Sequence, residues 1–166
     1  MNLADLLVRS AAEHGDRIAV KLDDIALSSS VLDQASQRVA GLLRERGLQV
    51  GDRVGLSLPN VPYFPVLYYG ILRAGGVVVP MNVLLKGREV AYYLDDAGAK
   101  MMFAWHDFAD AATEGAEKAG AELTLVKPGE IEGVVFAADP FEEVVDRADD
   151  DVAVLLYTSG TTGTPK

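Results

Sequence analysis

Val54-Gly55-Leu56-Ser57-Leu58, then a helix-length stretch opened by Asn60-Val61-Pro62 and closed by Gly75-Gly76, then Val77-Val78-Val79-Pro80: this alternation decides the fold class. The first run is short and apolar, as a strand should be. The second is β-branched with no polar alternation, the pattern of a strand buried on both faces. The stretch between them, ending at about Ala74, suits a helix, and paired glycines stop it. Two strands joined through a helix make a βαβ unit, and a sheet built from such units carries helices on both faces.

The same rhythm continues on both sides. Downstream, a helix from about Gly87 to Ala97 sets Val90, Ala91, Leu94 and Ala97 on one face and is stopped by Gly98. A strand at Met101–Ala104, an alanine-rich helix from about Phe108 to Ala119 and a strand at Leu123–Val126 come next. Residues 128–139 read as loop with a short strand at Val134–Phe136. A short helix is expected at Phe141–Ala148, then a last strand at Val152–Tyr157. Upstream, Asn2 caps a short amphipathic helix that Gly15 ends, and Ile18–Leu22 with Ile25–Ser28 forms a hairpin turning at Asp23-Asp24. Ser30 with Asp33 resembles a capping box for a helix whose stripe is Leu32, Ala35, Val39, Leu42 and Leu43. The expected fold is α/β: a mostly parallel sheet with helices on both faces and a small N-terminal β-hairpin.

Composition narrows the function. The 166 residues are 49% hydrophobic and 24% charged, which excludes the disordered class and fits one domain. The absence of cysteine excludes a disulfide scaffold, a thiolate nucleophile and Cys-ligated metals. His14 and His106 lack the spacing of a metal pair, so no metal ligands are assigned. A net charge of −10 argues against nucleic acid and anionic membranes as partners. Residues 1–94 hold 10 basic and 9 acidic groups, residues 95–151 hold 4 and 16, and the excess reads as solvated faces of the later helices. Asp5, Arg9 and Glu13 interrupt any secretory leader in Met1–Gly15. Pro62, Pro65, Arg73 and the glycine pair break the most apolar window, Val61–Pro80, too often for a membrane span. The cytoplasm is the expected compartment.

The chemistry sits in Tyr157-Thr158-Ser159-Gly160-Thr161-Thr162-Gly163-Thr164-Pro165-Lys166. An apolar strand leads into a segment of hydroxyls, two glycines and a lysine. Glycines let the backbone approach a ligand, hydroxyls donate hydrogen bonds, and the lysine offsets charge, a set suited to a polyphosphate. A strand end in an open α/β sheet is also where ligands bind. The spacing is not that of the common G-x-x-x-x-G-K-[ST] loop. On residues alone, a flexible polar tail is the competing reading.

These ten residues resemble the [YF]-T-S-G-[ST]-T-G-x-P-K signature of the acyl-adenylate-forming superfamily, which includes acyl-CoA synthetases, firefly luciferase and nonribosomal adenylation domains. Two further segments are similar to that superfamily's patterns: Leu72-Arg73-Ala74-Gly75-Gly76-Val77-Val78-Val79-Pro80-Met81-Asn82, and Gly51-Asp52-Arg53-Val54 with Leu58-Pro59-Asn60. The run Val77–Lys86 looks most like bacterial long-chain fatty-acid–CoA ligases. Ala26-Leu27-Ser28-Ser29-Ser30 departs from the usual pattern by lacking a Tyr and a Glu.

The resemblance implies a two-step ligase. A carboxylate, expected to be a fatty acid, attacks the α-phosphate of MgATP to give acyl-AMP and pyrophosphate, and CoA then displaces AMP. Thr158, Ser159, Gly160, Thr161, Thr162, Gly163, Thr164 and Lys166 would hold the β- and γ-phosphates, with Lys166 as the catalytic cation on the leaving pyrophosphate. An aryl or amino acid is the alternative substrate, and a non-catalytic module of the same fold the alternative class. Tyr157 reads as a packed strand end, Asn60 as a helix cap, and Gly75, Gly76 and Pro80 as structural. Tyr63, Phe64, Tyr68 and Tyr69 read as core packing and the two histidines as surface or loop residues.

Complete members are several times longer. Residues 1–166 are therefore expected to be the N-terminal portion of the adenylation domain, ending at the phosphate-binding loop 157–166, with the remainder and the C-terminal lid domain absent. Such a fragment is expected to be inactive alone and to hold no cofactor tightly, with Mg2+, ATP and CoA serving the longer enzyme. An unpaired apolar strand at Val152–Tyr157 leads to the expectation of a homo-oligomer.

Overall fold

The computed structural model describes residues 1–158. In chain order the elements are α1 (Ala4–His14), β1 (Ile18–Leu22), β2 (Ile25–Ser28), α2 (Ser29–Glu45), β3 (Arg53–Ser57), α3 (Tyr63–Arg73), β4 (Val77–Pro80), α4 (Gly87–Ala97), β5 (Ala99–Trp105), α5 (Ala109–Ala119), β6 (Glu122–Val126) and α6 (Ile131–Ala137). β1 and β2 form an antiparallel hairpin whose turn holds Asp23 at φ 50°. The other four strands form a parallel sheet in the order β4-β3-β5-β6.

That order places the helices. The chain steps from β3 to β4, then crosses back over β3 to reach β5. Right-handed crossovers in opposite directions put α3 and α4 on opposite faces of the sheet. The core divides accordingly. Val39, Leu43, Leu67, Ile71 and Ile131 pack against Val54, Leu56, Val78 and Phe103 on one face. Val90, Leu94, Ala112 and Ala116 pack against Val79, Met102 and Ala104 on the other. Neighbouring strand residues such as Val78 and Val79 thus serve different faces, as a two-residue strand period requires.

Several local expectations are corrected. The α2 cap is Ser28, whose Oγ accepts from the Val31 N–H at 3.3 Å, so Ser30 and Asp33 form no capping box. Asp33 is taken up by Arg73 instead. Asn60 does not cap α3: the helix enters through Pro62 with no side-chain cap. Val134–Phe136 lies in α6 rather than in a strand, because Ile131 and Val135, four residues apart, are both buried on α2 and α3. Phe141–Ala148 is an extended strap and not a helix. Its backbone bonds go to other elements, from Phe141 N–H to Gln37 O and from Val145 N–H to Arg73 O. The stretch Val152–Tyr157 makes one parallel bridge, Val78 to Val154, in place of a full strand.

Arg73 holds the α2–α3 layer to the strap. The residue is 1% exposed. Its guanidinium pairs with Asp33 and donates to Ser36 Oγ at 3.2 Å and to Glu142 O at 2.6 Å. Two glycines let the layers close. A Cβ on Gly70 would sit 2.3 Å from Val39 Cγ1, and one on Gly41 would sit 1.8 Å from Asp139 O.

Replacing Arg73 with Met leaves Asp33 and the strap carbonyls without their partner. We expect Arg73→Met to lower unfolding free energy by about 3 kcal/mol in urea titrations, the usual scale for breaking a buried ion pair on one side. An unchanged urea midpoint would show that the strap is held by other contacts.

Candidate active site

The route to the hydroxyl-rich segment is built from the strap upward. Arg147 donates to Gly75 O at 2.9 Å and pairs with Asp151 at 2.9 Å, and the Ala148 N–H bonds Asp151 Oδ2. Asn2 Nδ2 donates to both Leu72 O and Val145 O while its Oδ1 accepts from the Ala4 N–H, so Asn2 both caps α1 and fastens the strap. The chain then runs beside β4: Val78 N–H donates to Ala153 O and Leu155 N–H to Val78 O. The pairing is parallel with Val154 opposite Val78, so Thr158 falls beyond the carboxyl end of β4 at Pro80. That is the end of the sheet where α/β folds bind ligands.

Tyr157 is packed, as its sequence position suggested. Its ring stacks on Tyr93 of α4 at a centroid distance of 4.4 Å, Tyr92 meets it edge-on at 6.4 Å, and its hydroxyl donates to Asp96 Oδ2 at 2.6 Å. Burial, the Asp96 carboxylate and the neighbouring tyrosines push the Tyr157 phenol well above its ordinary value. Tyr93 and Asp96 carry no motif signal, which is why the sequence did not single them out.

The other two motif segments are scaffold. Gly51, at φ 83°, lets the chain turn so that its N–H reaches Gly75 O at 2.9 Å. Burial raises the Asp52 carboxyl, but the Gln49 N–H and Lys100 outweigh it and leave its pKa below the usual range. Arg53 donates to the last carbonyls of the α4 end, Ala97 and Gly98, and so fixes that helix.

Of the residues singled out for phosphate binding, Thr158 is described and exposed. Ser159, Gly160, Thr161, Thr162, Gly163, Thr164 and Lys166 lie outside the described residues. Tyr63, Phe64, Tyr68 and Tyr69 are half-buried along α3. Tyr63 packs on Trp105, and its hydroxyl bonds Glu132. Burial and that carboxylate push its phenol up to about 12. His14 is exposed, and His106 pairs with Asp107. A cavity of about 340 Å³ opens between the hairpin, α2, α3 and α6, lined by Leu27, Val39, Leu67, Ile131 and Phe136 among others. Among the described residues no group of three or more His, Cys, Asp or Glu side chains gathers as a metal site. Nor is any helix among them long and apolar enough to cross a membrane.

The AMP-binding enzyme family matches residues 7–166, and the chain belongs to that family. It is 32% identical over 146 residues to the long-chain-fatty-acid–CoA ligase FadD13 of Mycobacterium tuberculosis, covering 86% of this chain and 29% of that protein. It is 28% identical over 166 residues to the dimodular nonribosomal peptide synthase of Bacillus subtilis, covering 100% of this chain and 7% of that protein. The solved benzoate CoA ligase of Burkholderia xenovorans LB400 superposes with a TM-score of 0.87 at 29% identity, covering 95% of this chain and 32% of that one. The chain thus spans a third or less of each of these relatives.

The Tyr157 environment predicts an alkaline signature. A tyrosine whose pKa is raised by folding stabilises the fold below the unfolded value, about 10, and that contribution is lost as pH rises through the higher folded value. Ultraviolet titration should show late-ionising tyrosines, and Tyr157→Phe should remove one of them while reducing the loss of stability above about pH 10. An unchanged late phase in the variant would refute the Asp96 contact.

Proposed function

We propose that residues 157–166 hold the triphosphate of ATP in an acid–thiol ligase, and that residues 1–166 are the N-terminal portion of its adenylation domain. The reaction is carboxylate activation. A carboxylate oxygen bonds the α-phosphorus, the bond to the β-phosphate bridging oxygen breaks, and pyrophosphate leaves. The CoA sulfur then bonds the acyl carbon, AMP departs, and the thiol proton passes to solvent. Hydroxyl and amide donors from Thr158 to Thr164, with Lys166 as the cation, would stabilise the charge developing on the leaving pyrophosphate, where fixed donors act most strongly. Magnesium supplies further charge compensation when bound with ATP. No ligand to it is assigned in this chain.

The observation that carries the reading is the match of all nine specified positions of the ten-residue motif, in a segment that follows directly on residues running parallel to β4 and passes its carboxyl end. A fatty acid is the favoured substrate, supported by the likeness to FadD13. An aryl acid, as the benzoate CoA ligase takes, is the second reading. A cytoplasmic setting, where ATP and CoA are available, fits either. The chain spans 29% of FadD13, so residues 1–166 alone are expected to make no acyl-CoA.

Pyrophosphate exchange tests the assignment in an enzyme carrying this chain within a full-length adenylating domain. With palmitate, benzoate and amino acids offered in turn, palmitate is expected to support exchange best. Lys166→Ala and the Thr161→Ala, Thr162→Ala pair should each slow it by about 10²-fold. Wild-type turnover in those variants would sink the loop's role.

Residues 152–156 present Val152, Leu155 and Leu156 at 55, 36 and 65% exposure beside β4. An apolar segment at a sheet edge invites a second strand, and we propose that residues 1–166 self-associate through it. Light scattering should give a dimer or larger species at micromolar concentration, and Leu156→Lys should yield a monomer. A monomeric wild type rules this out.

A further inference from the structure

We propose that Tyr93 and Asp96 of α4 are positioning residues for triphosphate binding, acting through Tyr157. The proposal rests on the reading of residues 157–166 as a triphosphate loop and adds residues that no motif includes.

Backbone bonding to the sheet does not extend to the motif. Among the described residues the last bond to β4 is from Leu155 N–H to Val78 O. Two residues later the chain is held again, now by a side chain. Tyr157 stacks on Tyr93 with ring planes 21° apart, and its hydroxyl reaches Asp96 at 2.6 Å. The direction in which the chain leaves at Thr158 is therefore set by α4 rather than by the sheet.

α4 is a firm base for that task. Val90 and Leu94 are buried against the sheet and α5. The close approach of α5 is permitted by Gly115, where a Cβ would lie 2.4 Å from Val90 Cγ1. Arg53 ties the C-terminal end of α4 to the start of β3. Tyr93 and Asp96 are three residues apart, so both face Tyr157 from one side of the helix. A group held on a packed helix fixes the residues after it more tightly than a loop would. Donors placed before the ligand arrives lose less freedom on binding it.

The stack and the hydrogen bond make separable contributions. The stack is the larger, because aromatic pairs contribute beyond area alone. The hydroxyl–carboxylate bond is exposed and smaller. Neither Tyr93 nor Asp96 is expected to touch nucleotide, so their replacement should act only through the placement of Tyr157.

The test is calorimetric titration of the chain with pyrophosphate in the presence of Mg2+. Tyr93→Ala should weaken binding about tenfold, and Tyr93→Phe, which keeps the ring, should bind like wild type. Asp96→Ala and Tyr157→Phe should each weaken it about threefold, and the double variant no further, because both remove one bond. Thermal midpoints recorded alongside separate lost placement from lost folding, and recovery in Tyr93→Phe marks the ring as the cause. Wild-type affinity in Tyr93→Ala overturns the proposal, as does a double variant whose loss is the product of the two singles. If wild type gives no heat with pyrophosphate, the triphosphate reading is left to pyrophosphate exchange in the full-length domain, and the backbone order parameter of Thr158 decides the anchor. A fall in Tyr93→Ala with recovery in Tyr93→Phe supports it, and equal values in all three overturn it.

Discussion

Arg73 is the group on which the remaining arrangement depends. An isolated cation 1% exposed would be costly, and burial does lower its pKa, with Asp33 acting against that. The residue is tolerated because Asp33, Ser36 and the carbonyl of Glu142 surround the guanidinium. Among the described residues no buried side-chain donor or acceptor lacks a partner. The geometry this enforces is specific. Asp33 and Ser36 belong to α2, Arg73 ends α3, and Glu142 lies in the strap, so one side chain fixes three segments distant in sequence. Without the Arg73 side chain the strap would keep its bonds to Gln37, Asn2 and Gly75 but lose the one group that ties α2, α3 and the strap together.

The repeating units were legible because strong local signals agreed. At Gly87–Ala97 the apolar spacing, the acidic first turn and the glycine stop all point to a helix, and Gly98 adopts φ 61° as its left-handed cap. Where the sequence misled, long-range contacts overrode local preference. Val134-Val135-Phe136 has the composition of a strand, yet helical spacing is what buries Ile131 and Val135 together. Phe141–Ala148 has the length of a helix, but its carbonyls and amides are claimed by Arg73, Gln37 and Asn2 before a helix could use them. Asp33 looked like a cap because its eventual partner lies 40 residues further on. The residues proposed to hold phosphate were picked out chiefly by resemblance, and the groups that hold Tyr157 were not legible at all. An aromatic at Tyr93 has no local feature that sets it apart from a core residue.

The three motif segments are also bonded to one another. Gly75 O accepts from Gly51 N–H and from Arg147, so the turn before β3 and the turn before β4 share one acceptor with the strap. Arg53, in the same motif as Gly51, closes α4, and α4 receives Tyr157. Residues that would never meet a nucleotide thus connect, through a short series of hydrogen bonds, to the residue that precedes Thr158. Their chemical character is explained by this scaffold without any contact to ligand.

Electrostatics favour a local solution for the phosphate. The chain carries a net charge of −10, and Lys166 is the only lysine or arginine after Arg147. A broad attractive field for an anion is therefore excluded, and repulsion from the acidic stretch 95–151 is screened only beyond about 8 Å at physiological salt. Affinity for a triphosphate under the proposed reading must come from short-range donors: hydroxyls, amides freed by glycine, one lysine and the metal that accompanies ATP. Short-range donors work only when aimed, since a hydrogen bond weakens steeply with misalignment. An acidic protein that binds polyphosphate thus has particular need of a fixed entry into its loop, and under the proposed reading the Tyr157 contacts on α4 would meet that need.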